Sequence, residues 1–332
     1  MIIHGDALST LKTLPDESVN CCVTSPPYYN LRNYGVEGQI GLEETPEEYI
    51  EKLVEIFREV RRVLKKDGTL WVNIGDSYAG SGKGASNYPD NAKKYKQGTN
   101  NGSIGTFLSK TVSAYCKPKD LIGIPWMLAF ALRADGWYLR SDIIWAKNNP
   151  MPESVKDRCT KSHEYIFFLT KSSKYYFDDE AIAEPVKEST VKRLSQPNLE
   201  GQKESYTPSK ANGAMKAAAP RYGGKKYTES PDEFYRTKSA HAYEFRPKRK
   251  KRDVWMVSTQ PYKGTHFATF PPKLIEPCIL AGCPDGGIVL DPFAGSGTTG
   301  MVARQHGRDF ILIELNENYV NLCEERTREV LL

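Results

Sequence analysis

The sequence contains no run of about 18 apolar residues that could span a bilayer. It also lacks a cationic lead followed by a cleavable apolar stretch: its first residues read MIIHGDALST. These absences predict a chain with no membrane span and no secretory leader. Its seven cysteines (21, 22, 116, 159, 278, 283 and 323) form no C-x-x-C pair and no disulfide framework, so neither a thiolate metal site nor an extracellular scaffold is indicated. A reducing cytoplasm is the compartment this cysteine usage implies. Histidines 4, 163, 241 and 306 stand alone and read as structural.

What is present is unevenly spread. The net charge is only +5, yet residues 185–252 hold 17 Lys and Arg against 7 Asp and Glu, while the whole chain has 46 against 41. A basic block on an otherwise slightly acidic body points to a polyanion partner or to a solvated insert. Tyr206, Tyr222, Tyr227, Phe234, Tyr235, Tyr243 and Phe245 are interleaved with its cations. Residues 77–117 are rich in Gly, Ser, Asn and Lys and read as a long mobile loop. Elsewhere strands alternate with helices, the pattern of an α/β sheet covered on both faces. The clearest helix is TPEEYIEKLVEIFREVRRVLKKDG: Thr45 caps it, Pro46 opens it, Glu48 completes a capping box, and Gly68 is expected to stop it.

Two segments carry chemistry. After the apolar run Cys21-Cys22-Val23 comes VTSPPYYNLRNYG. A proline pair offers no backbone N–H and fixes two φ angles. It therefore ends a strand rigidly, with carbonyls free to accept hydrogen bonds beside an aromatic ring. That suits a flat ligand bearing an amino group; an ordinary strand exit is the plainer reading.

The second segment is Gly295-Ser296-Gly297-Thr298-Thr299-Gly300, a G-x-G-x-x-G between strand and helix, with Glu314 at the end of the next strand. Such glycines let the backbone pass close to a ligand, and an acidic side chain there can accept from ribose hydroxyls. NAD is the default ligand. Asp291-Pro292-Phe293 immediately before the loop argues otherwise, because a carboxylate competes with a pyrophosphate and suits an ammonium-bearing, phosphate-free cofactor such as S-adenosylmethionine. The stretch SYAGSGKG (77–84) has Ser77 and Gly84 where a phosphate-binding loop needs glycine and Ser or Thr, so it is not read as one. Cys278 follows Pro277 inside a predicted helix and is not expected to be a nucleophile.

A Ser-Pro-Pro-Tyr after one strand together with Asp-Pro-Phe-Ala-Gly-Ser-Gly-Thr after another resembles the DNA amino-methyltransferases of restriction–modification systems. The order of the two motifs, with a basic segment between them, is similar to the β group of that family. The resemblance implies a Rossmann-like S-adenosylmethionine-dependent methyltransferase fold, circularly permuted, with a mostly parallel seven-stranded sheet and an inserted target-recognition region. Residues 1–184 would be the catalytic half, 185–252 the basic target-recognition region, and 253–332 the cofactor-binding half. The last strand would then lead through the C-terminal helix towards the first, so the termini should lie near each other and Asp6 near the cofactor adenine.

The resemblance also implies site residues. Ser25, Pro26, Pro27 and Tyr28 would be catalytic. Cofactor contacts would come from Asp6, the THFATFPP residues His266, Phe267, Ala268 and Thr269, the stretch Asp291, Pro292, Phe293, Ala294, Gly295, Ser296, Gly297, Thr298 and Thr299, and Glu314, Leu315 and Asn316. Arg32, Lys147, Arg246, Lys248, Arg249, Lys250 and Lys251 are the DNA-binding candidates, with Asn30, Tyr34 and the WAKNNPMP loop as further gripping elements. Double-stranded DNA is the implied partner, with or without a companion restriction endonuclease, with no metal, and as either a monomer or a homodimer.

The chemistry fits these residue types. An exocyclic base amine is a poor nucleophile because its lone pair is conjugated into the ring. Accepting its two protons at the Pro26 carbonyl and at the Ser25 side chain or a nearby carbonyl favours a pyramidal nitrogen, and Tyr28 would stack on the base and align it. The base must first leave the duplex. Ser in the first motif position is commoner among the N4-cytosine enzymes of the family, Asp or Asn among the N6-adenine enzymes, so N4 of cytosine is the expected target and N6 of adenine the alternative. A nicotinamide-dependent oxidoreductase and a non-catalytic nucleic-acid-binding protein are the rivals from other classes.

Overall fold

The structure is a computed structural model that describes residues 1–79, 116–189, 248–260 and 270–328. Most of the expected loop 77–117 and of the basic block 185–252 therefore lies outside the described residues, as do Arg246, His266, Phe267, Ala268 and Thr269.

The chain divides into two compact units, Met1–Ile182 with Arg252–Leu332, and Ala183–Lys251. In the larger unit ten elements set the frame: strands β1 (Ile2–His4), β2 (Val19–Thr24) and β3 (Leu64–Ile74), then β4 (Tyr138–Ala146) and β5 (His163–Thr170), with helices α1 (Ala7–Thr13), α2 (Pro46–Val63), α3 (Ile124–Ala134), α4 (Pro272–Gly282) and α5 (Thr298–Gln305). The smaller unit contributes a two-stranded antiparallel pair, β6 (Glu184–Pro185) with β7 (Lys248–Arg249). Strands β8 (Val254–Met256), β9 (Ile288–Asp291) and β10 (Asp309–Glu314), and helix α6 (Glu317–Arg328), complete the larger unit.

One sheet runs in the order β1-β10-β9-β2-β3-β5-β4-β8. Neighbours are parallel except where β5 meets β3 and β4 antiparallel. The sheet thus has eight strands rather than seven. The extra one, β8, adds to the edge beside β4, where Trp255 is buried and the Trp145 indole N–H donates to the Val257 carbonyl at 2.7 Å. The first strand pairs with β10: Ile2 lies opposite Leu312, and the Met1 ammonium donates to the Phe310 carbonyl at 2.7 Å; the end of the chain, residues 329–332, lies outside the described residues.

Strand β3 shows why the sheet needs two covers. From Gly68 to Ile74 every residue is buried. Leu70, Val72 and Ile74 face a core shared with Leu53, Phe57 and Leu128 of α2 and α3, while Trp71 faces one shared with Leu274, Ile279 and Val302 of α4 and α5. Period-two alternation on a strand buried on both sides yields a continuous apolar run.

The capping box of α2 forms as expected, with the Thr45 hydroxyl accepting from the Glu48 N–H. The end of the helix does not. It stops at Val63, and Leu64 is already extended (ψ 139°), so Lys65 to Gly68 belong to β3. The cause is tertiary: Leu64 pairs with Val19 of β2, and the Lys171 ammonium serves as a cap, donating to the Leu64 and Arg62 carbonyls at 2.6 and 3.4 Å. Among the described residues no helix is long and apolar enough to cross a membrane.

Candidate active site

Strands β9 and β2 lie side by side, with Cys21 opposite Val289 and Cys22 opposite Leu290. From β9 the chain turns through α5 to β10 on one side, and from β2 through α2 to β3 on the other. The connections diverge here, and the carboxyl ends of such strands form the ligand crevice of an open α/β sheet. Both sequence motifs start at these ends. The hydroxyl of Thr24, just before Ser25, donates to Asp291 Oδ1 at 2.6 Å, bridging 267 positions of sequence.

That bond corrects the expected role of Asp291. Its carboxylate is 1% exposed and does not line the crevice. Oδ1 also accepts from the Phe293 N–H at 3.1 Å, and Oδ2 accepts from the Thr299 hydroxyl at 2.7 Å. Burial pushes its pKa up to about 6 against the pull of these three donors. Asp291 clasps the two strand ends together from behind. Gly297 and Thr299 also lie behind the crevice: Gly297 is left-handed (φ 76°), and a Cβ there would come within 2.9 Å of the Cys323 Cα.

The crevice is about 800 Å³. At one end it is lined by Asp6, Pro292, Phe293, Ala294, Gly295, Ser296, Thr298, Glu314, Leu315 and Asn316. Glu314 accepts from the Gly295 N–H at 2.7 Å and the Asn316 N–H at 2.9 Å, while burial raises its pKa. Asp6 caps α1, accepting from the Ser9 N–H at 2.9 Å, and the preceding Gly5 N–H donates to the Glu314 carbonyl at 2.9 Å. Arg326 of α6 holds the loop from behind, donating to the Ser296 hydroxyl at 2.6 Å and the Thr298 hydroxyl at 2.9 Å.

At the other end stand Ser25, Pro26, Pro27 and Tyr28. The Tyr49 hydroxyl donates to the Pro27 carbonyl at 2.7 Å. Among the described residues the Pro26 carbonyl takes no hydrogen bond. The Tyr28 hydroxyl donates to Glu164 Oε2 at 2.5 Å, and Asn73 Oδ1 lies 3.3 Å from it. Burial first, then the neighbouring Glu164 charge, raise the Tyr28 pKa well above its ordinary value. The ring rests on Gly75, where a Cβ would meet Tyr28 Cε2 at 2.6 Å.

Asn73 and Glu164 were not legible as site residues. Strand β5 runs antiparallel, so its beginning lies where β3 ends, with Tyr165 opposite Ile74. The available signal was a polar residue at the tip of an otherwise apolar strand, in WVNIGD and HEYIFF. Lys147, a DNA-binding candidate, lines the crevice, ion-paired to Glu164 and 4.6 Å from the Trp145 ring centre. Arg32 and Tyr34 line the crevice too, and the rings of Tyr34 and Tyr319 meet edge-on at 6.4 Å. In the smaller unit, Arg249 and Lys251 both pair with Glu184 at 3.1 and 3.3 Å, so these two expected phosphate contacts are partly neutralised internally; Lys248 and Lys250 are exposed. Cys278 is a fully buried helical thiol, as expected. No cluster of three or more metal-ligating side chains occurs among the described residues.

A family model described as DNA methylase, N6_N4_Mtase, matches residues 19–325. The chain is 45% identical to the type II methyltransferase M.Cfr9I of Citrobacter freundii over 98% of this chain and 86% of that one. It is 44% identical to M.SmaI of Serratia marcescens over 98% and 89%. Among solved structures it resembles the PvuII DNA methyltransferase (cytosine-N4-specific), with a TM-score of 0.60 and 17% identity over 99% of this chain and 89% of that one. It also resembles a DNA modification methylase of Thermus thermophilus solved with S-adenosyl-L-methionine, with a TM-score of 0.54 and 22% identity over 99% and 95%.

Proposed function

The chain belongs to the N6/N4 DNA methylase family, and from that premise we propose that it transfers a methyl group from S-adenosylmethionine to the exocyclic N4 of a cytosine turned out of duplex DNA. The observation that carries this reading is the Thr24–Asp291 bond, which sets the proton-accepting turn beside the glycine loop at one crevice. Ordinary strand spacing supports direct transfer, because an amine held at one turn and a methyl donor held at the other would be neighbours.

The donor set fits the cofactor. Asp6 at the start of α1, Ser296 of the glycine loop, and Glu314 and Asn316 at the β10 tip line the crevice. Among the described residues the only cations lining it, Arg32 and Lys147, come from other segments, which suits a ribose and an amino-acid tail and disfavours a pyrophosphate. Glu314 would accept from the ribose, Phe293 and Leu315 would flank the adenine, and Gly295 would let the backbone approach. When bound, the cofactor supplies an electrophilic methyl on a sulfonium. A nicotinamide dinucleotide would have to bring its phosphates against two carboxylates.

The chain's own residues do the rest. The Pro26 carbonyl and the Ser25 hydroxyl accept the two amine protons, freeing the nitrogen lone pair from the ring. Tyr49 fixes the turn by its grip on Pro27, and Glu164 with Asn73 fixes the tilt of the Tyr28 ring that stacks on the base. The nitrogen gives up its proton to solvent after the transfer. Ser rather than Asp or Asn at position 25, the commoner residue among the N4-cytosine enzymes of the family, supports cytosine N4 over adenine N6. The basic run Lys248–Lys251 contributes sequence-independent phosphate contacts. Nucleoside mass spectrometry of plasmid DNA methylated by the enzyme tests the reading: N4-methylcytosine is expected, and N6-methyladenine without it overturns the choice of base.

A further inference from the structure

Met151 combines two properties that rarely meet. It is 82% exposed, the most open of the large apolar side chains among the described residues, and it lines the crevice. It therefore stands on the rim. It belongs to the loop between β4 and β5 and is flanked by Pro150 and Pro152, which fix their φ angles and lack N–H groups.

The stem of that loop is pinned. The Lys147 N–H donates to the Ser162 carbonyl at 2.8 Å. Asn149 makes a pair of bonds with Thr259, donating to its carbonyl at 3.1 Å and accepting from its N–H at 2.8 Å. Arg158 pairs with Glu153 and lies 4.0 Å from the Tyr78 ring centre, and Lys119 pairs with Asp157 at 2.7 Å. Both loop carboxylates are thus matched by cations, which spares the phosphates of an approaching duplex from bare negative charge. The stem is stiff and the tip is apolar, although no core needs that tip.

Turning a base out of a duplex costs a few kcal/mol and leaves a gap in the stack. Proteins that deform DNA fill or pry such gaps with Phe, Leu, Ile, Met or Pro. Methionine is unbranched and polarizable, so it adapts to whichever bases line the gap. We propose that Met151 is the wedge that enters the base stack at the place the target leaves. The proposal rests on the extrusion of the target base assigned above.

The test uses the full-length enzyme and duplexes carrying its mapped site. Met151→Ala is expected to slow single-turnover methylation of the paired duplex about tenfold or more, and to slow it less than about threefold when the target faces an abasic site, where little unstacking remains. Met151→Leu keeps an apolar wedge and should retain most of the rate. Unchanged S-adenosylmethionine binding and melting temperature exclude misfolding. Equal slowing of Met151→Ala on both duplexes, or no slowing on either, overturns the wedge. A wild-type enzyme that raises no fluorescence from a 2-aminopurine beside the target would instead overturn extrusion itself, and the wedge with it.

Discussion

The turns leaving β2 and β9 start from adjacent parallel strands yet are built by opposite means. Ser25-Pro26-Pro27-Tyr28 is stiff in its own backbone, and phenol hydroxyls secure it, with Tyr49 on Pro27 and Tyr28 on Glu164. The turn after β9 is built on glycine, with positive φ at Gly295 (55°) and Gly297 (76°), and charged groups secure it: Glu314 in front, Asp291 below and Arg326 behind. A small neutral amine can be aligned only by acceptors that do not give, whereas a large cofactor needs a backbone that can come close to it. Rigidity serves orientation, and glycine serves proximity.

This contrast can be broken by experiment. The largest effect is expected from Tyr28→Ala, which should lower kcat by about 10²-fold or more while leaving S-adenosylmethionine affinity nearly unchanged in titration calorimetry. Glu314→Ala should do the reverse, weakening cofactor binding by about 10- to 100-fold, the loss of one or two hydrogen bonds to a charged group. If either variant followed the other's pattern, the division of labour would fail. Gly75→Ala sharpens it: the new methyl must push the Tyr28 ring forward, so kcat should fall about tenfold with cofactor binding intact.

The smallest effect is a slope. Asp291 has an ordinary pKa of 3.8 when unfolded and about 6 when folded. Below pH 3.8 the stability linked to this raised value is fully present, and it is lost as pH rises through about 6, where the folded carboxyl must ionise in its buried site. A rise of that size corresponds to at most about 3 kcal/mol. Melting temperatures between pH 4 and 7 should show Asp291→Asn without that part of the wild type's decline.

Local signals in the sequence located the elements, and tertiary ones moved their edges. Thr45, Pro46 and Glu48 announce the start of α2 because a cap is made by residues three apart. Its end falls at Leu64 rather than at Gly68, since Leu64 answers to Val19 and Lys171, neither of them nearby in sequence. The site divides in the same way. Gly295, Glu314 and the proline pair lie in contiguous motifs and were legible. The inward turn of Asp291 depends on Thr24, and the presence of Asn73, Glu164 and Lys147 at one tip depends on the reversed direction of β5. No window of adjacent residues contains that information.

The unbroken passage from α2 into β3 makes residues 46–75 behave as a caliper. One leg begins with Tyr49, which grips the Pro27 carbonyl; the other ends with Asn73 and Gly75, which steady the neighbouring phenol ring. No slack separates the legs, because the last helical residue abuts the first of the strand. One residue inserted at Val63–Leu64 would turn the far leg over, and Asn73 would no longer face the phenol hydroxyl.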